Sequence, residues 1–71
     1  MAIVVRLDRV LVERRIRSRE LAAHVRITES NLSLLKSGHV RGVRFETLSR
    51  ICELLECQPA DLLEYVPDAN E

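Results

Sequence analysis

Apolar residues recur at helical spacing in several separate stretches of this chain, each bounded by turn-forming residues. Leu7, Val10 and Leu11 make the first stripe and predict a helix over residues 7–14. Ile16 is expected to fold back onto the core at the turn that follows. A second helix is predicted over 18–24, with Ser18 either its cap or its first helical residue. Thr28 is the natural cap of a third helix, and Glu29 lies in its first turn, favourably placed against the helix dipole. That helix runs to about Lys36 and is broken at Gly38 by a left-handed backbone.

Leu48, Ile51, Cys52 and Leu55, at i, i+3, i+4 and i+7, predict a fourth helix over 45–56. Gln58-Pro59 opens a last short helix continued by Ala60 to Leu63, because proline in the first turn costs no hydrogen bond. The β-branched run Ile3-Val4-Val5 reads as a short strand, with Tyr65-Val66 as its pairing partner and Pro67 as its end. These elements predict one all-α domain over residues 1–66, carrying a small two-stranded antiparallel sheet, and a flexible tail over 67–71.

Composition agrees with a helical bundle. The chain has 71 residues and two aromatics, Phe45 and Tyr65, so its core must be built from Leu, Ile, Val and Ala. Such a length sits below the range in which one core gives ample stability. No apolar run reaches membrane-spanning length, and the start MAIVVRLD is charged too early for a secretory signal. A cytoplasmic location with no membrane partner is therefore expected. Cys52 and Cys57 lie five apart, with no second cysteine pair and with His24 and His39 remote in sequence. They read as two reduced, partly buried thiols, and neither a metal nor a cofactor is expected.

Formal charge is zero, but it is unevenly spread. Residues 1–44 hold ten Arg/Lys against four Asp/Glu, whereas residues 45–71 hold one Arg against seven acids. One reading is a cationic surface for a polyanion, with the acids kept away from it. The other is an ordinary charged shell that folding intermixes.

The densest information lies in SRELAAHVRITESNLSLLKSG, residues 18–38. Small Ala22 falls where two helices would cross; Leu21, Ile27, Leu32 and Leu35 point inward; a polar edge from Glu29 to Ser33 points out. This is the pattern of a helix-turn-helix, whose second helix can enter the major groove of DNA.

Glu20-Leu21-Ala22, Ile27-Thr28, Asn31 to Gly38 (NLSLLKSG) and Cys57 to Leu63 (CQPADLL) together resemble the Cro/C1-type helix-turn-helix family. The resemblance covers about Leu7 to Leu63 and implies a five-helix, lambda-repressor-like DNA-binding domain. Short members with a strand at each end are especially similar, and in those the protein works as a dimer. Two positions depart from the pattern. Arg26 stands in the turn where members usually carry Gly, a positive-φ position costing Arg on the order of 1 kcal/mol. Glu29 stands where the first exposed residue of the recognition helix is often Gln; an acid there is unfavourable beside phosphates unless it accepts from a cytosine or adenine amino group.

The resemblance makes Glu29, Ser30, Asn31, Ser33 and Leu34 the candidate base-contacting residues. An Asn amide can pair with an adenine edge, a Ser hydroxyl is an adaptable partner, and Leu34 suits a thymine methyl. The bland alternative makes Ser30, Asn31 and Ser33 solvated surface and Leu34 peripheral core. Arg17 and Ser18, at the start of the second helix, offer backbone N–H groups suited to an anion. With Lys36, His39 and Arg41 they are the candidate phosphate contacts; for His39 and for Arg44 a solvated loop is an equal reading. Arg6, Arg9, Arg14, Arg15 and Arg19 read as solubilising, Arg19 lying near the DNA side, and His24 and Arg26 read as surface residues.

No Ser/His/Asp set, paired carboxylates or Gly-rich phosphate loop occurs at useful spacing, so the chain is not expected to be an enzyme. The expected partners are double-stranded DNA and a second copy of the chain, in a homodimeric repressor reading a near-palindromic operator. The alternatives are the DNA-binding antitoxin of a toxin–antitoxin pair, with a toxin as protein partner, and a protein-interaction module of the same fold.

Overall fold

Each of the four longer helices in the computed structural model, which describes residues 3–67, ends on a left-handed residue. These residues are Arg15, Arg26, Gly38 and Glu56, of which only Gly38 is free of the Cβ penalty. The reversed backbone turns each cap N–H onto carbonyls of the preceding turn; Arg26 N–H, for example, donates to Ala22 O at 2.8 Å. The helices so bounded are α1 (Leu7–Arg14), α2 (Ser18–Val25), α3 (Glu29–Ser37) and α4 (Phe45–Leu55). A single turn, α5 (Pro59–Leu62), follows. Strands β1 (Ile3–Val5) and β2 (Leu63–Tyr65) pair antiparallel, with Ile3 opposite Tyr65 and Val5 opposite Leu63.

The predicted elements all occur, with small shifts at their ends. Val25 prolongs α2 by one residue, because its side chain is buried in the core and holds the last turn. Glu56 adopts φ 51° and closes α4 instead of extending it. Leu63 is already extended, at φ −127° and ψ 138°, so α5 ends at Leu62 and the second strand begins two residues earlier than expected. Residues 68–71 of the expected tail lie outside the described residues.

The core is wholly aliphatic. Leu7, Val10 and Leu11 of α1, Leu21, Ala22 and Val25 of α2, Leu32 and Leu35 of α3, Ile51 and Leu55 of α4, and Leu62 of α5 are buried, with no polar residue among them. Ile16, Ile27, Leu48 and Cys52, expected to point inward, are half-buried and pack against this cluster. Both aromatics stay outside, Phe45 87% and Tyr65 62% exposed. Cys52 and Cys57 are free and half-buried, brought together where Cys57 N–H bonds to Cys52 O across the end of α4. Burial and the neighbouring Cys52 push the Cys57 thiol up, so it stays protonated and poorly nucleophilic at neutral pH.

Two arginines expected only to solubilise do more. Arg14 Nε donates to Leu55 O at 2.7 Å, covering a carbonyl that α4 leaves without an intrahelical partner. Arg6 Nε meets Glu64 Oε1 at 2.9 Å, while its backbone N–H donates to Leu62 O, so the start of α1 is fastened to the second strand.

Arg14→Met keeps the aliphatic stem and removes the cap, and is expected to lower stability in urea unfolding by about 1–2 kcal/mol. Arg26→Gly relieves the strain at φ 67° while loosening the unfolded chain by a comparable amount. Its melting temperature is expected to equal or exceed that of the parent; a clear drop would contradict the strain account.

Candidate nucleic-acid interface

The geometry of α2 and α3 is set by a small residue and a cap. Ala22 is 3% exposed, which allows close backbone approach, and its carbonyl accepts from both Arg26 and Ile27 N–H as the chain leaves α2. Thr28 is extended, and its Oγ1 accepts from Asn31 N–H at 3.0 Å, starting α3 in a new direction. Leu32 and Leu35 then sink into the core.

With those two side chains pointing down, a rotation of about 100° per residue fixes where every other position of α3 points. Ser30, Ser33, Leu34 and Ser37 form the outward crest, and all four are exposed. Five residues were predicted to contact bases, and three of them (Ser30, Ser33 and Leu34) share this crest. Glu29 is rotated to the flank of α3 that carries Lys36. Asn31 is rotated to the opposite flank, where with Ile27, Val40, Arg44 and Thr47 it lines a shallow groove between α3 and α4. Ser37 belongs to the crest and was missed because the predicted helix stopped at Lys36. Its hydroxyl donates to Leu34 O at 3.0 Å and lies 2.7 Å from His39 Nδ1, tying the histidine to the end of α3.

The phosphate candidates divide into two groups. Arg17, not Ser18, caps α2, and since a guanidinium has no acceptor only half of a capping box forms: Glu20 accepts from Arg17 N–H at 3.4 Å. That amide is therefore used internally, whereas the Ser18 and Arg19 amides have no acceptor among the described residues. Lys36 reaches across to this point, its Nζ 2.9 Å from Ser18 Oγ and 3.2 Å from Asp8 Oδ1. Arg17, Ser18 and Lys36 are thus gathered at one helix start. His39 and Arg41 lie in the loop beyond α3, Arg41 at the rim of a cleft formed with Ile3, Val5 and Leu63.

Folding intermixes much of the uneven charge. His24 pairs with Glu53 at 2.9 Å and Arg6 with Glu64, each joining the basic part of the chain to the acidic part. Among the described residues, Arg9, Arg14, Arg15, Arg17, Arg19, Arg26, Arg41 and Arg44 form no ion pair; of these, Arg17 and Arg19 stand at the start of α2, and Arg41 and Arg44 lie between α3 and α4. No group of three or more His, Cys, Asp or Glu is placed to hold a metal among the described residues, and none of their helices is long and apolar enough to cross a membrane.

Capped α3, its buried underside and its polar crest, set against α2 across a tight turn, define a helix-turn-helix protein. Residues 6–68 match the Cro/C1-type HTH DNA-binding domain, and the chain belongs to that family, a DNA-binding rather than an enzyme family. It is 47% identical over 70 residues to the uncharacterized HTH-type transcriptional regulator YozG of Bacillus subtilis (strain 168), covering 99% of this chain and 83% of that one. Among crystal structures, a Bacteroides fragilis protein proposed to bind DNA superposes with a TM-score of 0.77 at 26% identity, over 87% of this chain and 98% of the other. The transcriptional regulator VanUg superposes with a TM-score of 0.72 at 26% identity, over 94% and 88%.

Proposed function

We propose that this DNA-binding domain is a sequence-specific transcriptional repressor that lays the α3 crest along the major groove as a homodimer on a near-palindromic operator. The observation that carries the reading is the crest itself. Three hydroxyls and one aliphatic side chain stand exposed on a helix whose opposite face is anchored by Leu32 and Leu35. Hydroxyls adapt to either donors or acceptors on base edges, and Leu34 suits a thymine methyl. Asn31 and Glu29 reach the edges of the groove from the two flanks.

Affinity comes from the flanking cations. The unpaired amides of Ser18 and Arg19, the ammonium of Lys36 and the guanidinium of Arg17 form one phosphate clamp, and His39 and Arg41 form a second beyond α3. The net-zero charge does not oppose this, because a phosphate meets the local surface, where Arg17, Arg19, Arg41 and Arg44 form no ion pair among the described residues.

Dimerisation is supported by the terminal sheet. Its two strands leave outer edges open, Ile3 is 51% exposed, and an apolar cleft of about 350 Å³ lies beside it, lined by Ile3, Val5, Leu35, Val40, Val43 and Leu63. Two copies reading half-sites one helical turn apart roughly double the buried surface, which a single small module needs for tight specific binding.

Selection of duplexes from a random pool is expected to return a sequence with twofold symmetry. On that duplex Asn31→Ala should cost about 1–3 kcal/mol and have little effect on random DNA. Lys36→Met should weaken both equally and flatten the slope of log K against log salt by about one. A pool that returns no preferred sequence would favour the protein-interaction module instead.

A further inference from the structure

Asp8 is not among the candidate DNA contacts, yet it pairs with the phosphate candidate Lys36, the one of that set in an ion pair among the described residues. Lys36 is held over the start of α2 by two oxygens, Ser18 Oγ at 2.9 Å and Asp8 Oδ1 at 3.2 Å. The two anchors differ in kind. Ser18 belongs to the helix whose unpaired amides face outward, so it keeps the ammonium at the clamp. The Asp8 carboxylate comes from α1, is 72% exposed, and has no other partner among the described residues. The Lys36 side chain is by contrast only 23% exposed, so the carboxylate is the more accessible member of the pair.

We propose that Asp8 is an internal stand-in for a DNA phosphate: it occupies Lys36 in the free protein and is displaced when the DNA backbone reaches the start of α2. This rests on the DNA-binding reading given above. An oxyanion meeting Lys36 beside Ser18 offers the same chemistry as a phosphate oxygen, so the ammonium changes partner without leaving its place. Release costs Asp8 little, because it stands in the first turn of α1, where the helix dipole favours a carboxylate with or without Lys36. The displaced carboxylate is left near the arriving phosphates, which opposes binding on every sequence alike. Asp8 is therefore a positioning residue that weakens non-specific affinity and leaves the discrimination by α3 untouched.

The test is a double-mutant cycle on a fluorescent duplex of random sequence, read by anisotropy at several salt concentrations, with the full chain. Asp8→Asn should tighten binding by about two- to fivefold at moderate ionic strength, the factor an exposed ion pair represents. The gain should fade as salt rises. In a Lys36→Met background the same substitution should tighten binding clearly less, because only the carboxylate's direct repulsion of the phosphates is then removed. Equal tightening with and without Lys36 would reduce Asp8 to one more negative charge and overturn the proposal. So would unchanged or weaker binding by Asp8→Asn. Thermal melts of all four proteins control for folding, since loss of structure would lower melting temperature and affinity together. If the parent chain binds no duplex at low salt, the functional reading itself fails and takes this inference with it.

Discussion

Everything on the outer surface of α3 depends on what lies beneath it. Leu32 is fully buried and Leu35 nearly so, and these two side chains fix the rotation of the helix about its axis. A turn of about 100° per residue then leaves Ser30, Ser33, Leu34 and Ser37 no direction but outward. The same constraint explains why a core without one polar group suits the task. No buried polar side chain competes for the hydroxyls of Ser30 and Ser33, and the aliphatic cluster of α1, α2, α4 and α5 acts as a platform for the crest.

A chain this short gains little from its core alone, and much of its definition comes from its helix ends. Side chains distant in sequence close several of these ends. Arg14 reaches the carbonyls of α4, Arg6 holds the second strand, and Lys36 joins three helices at the start of α2. These contacts tie basic residues of the first part of the chain to acids and carbonyls elsewhere, while Arg17, Arg19, Arg41 and Arg44 near α2 and α3 form no ion pair among the described residues. Arg26 illustrates the opposite economy. It tolerates a left-handed backbone so that the chain can turn into α3, and its side chain forms no hydrogen bond or ion pair among the described residues that would offset the strain.

The helices were legible because their signals are local. Thr28 is a cap by chemistry, Gly38 a stop by backbone freedom, and the stripe ending in Leu55 is set by spacing; all three behave as their sequence implies. The strained turn at Arg26 was legible too, through its departure from a pattern that elsewhere has glycine. Element ends were less visible where tertiary burial decides them, as at Val25 and Leu63. The long-range pairings were not visible at all: nothing local marks Arg14 as the partner of Leu55, or Asp8 as the partner of Lys36, because such contacts exist only once the helices are packed. Around the candidate site, helical spacing places Ser30, Ser33 and Leu34 on one exposed crest. A run in sequence groups Asn31 and Glu29 with them, because it does not distinguish a crest from its flanks.

The exposed crest of α3 is the surface proposed to meet DNA. Amide chemical shifts of the isotopically labelled protein, followed as a selected duplex is titrated in, test it most directly. The largest changes are expected at Ser30, Ser33, Leu34 and Ser37, with a second cluster at Ser18 and Arg19 and none along a separate groove that Phe45, Cys52, Cys57 and Pro59 line beside α4. Changes confined to that groove, with α3 unperturbed, would contradict it.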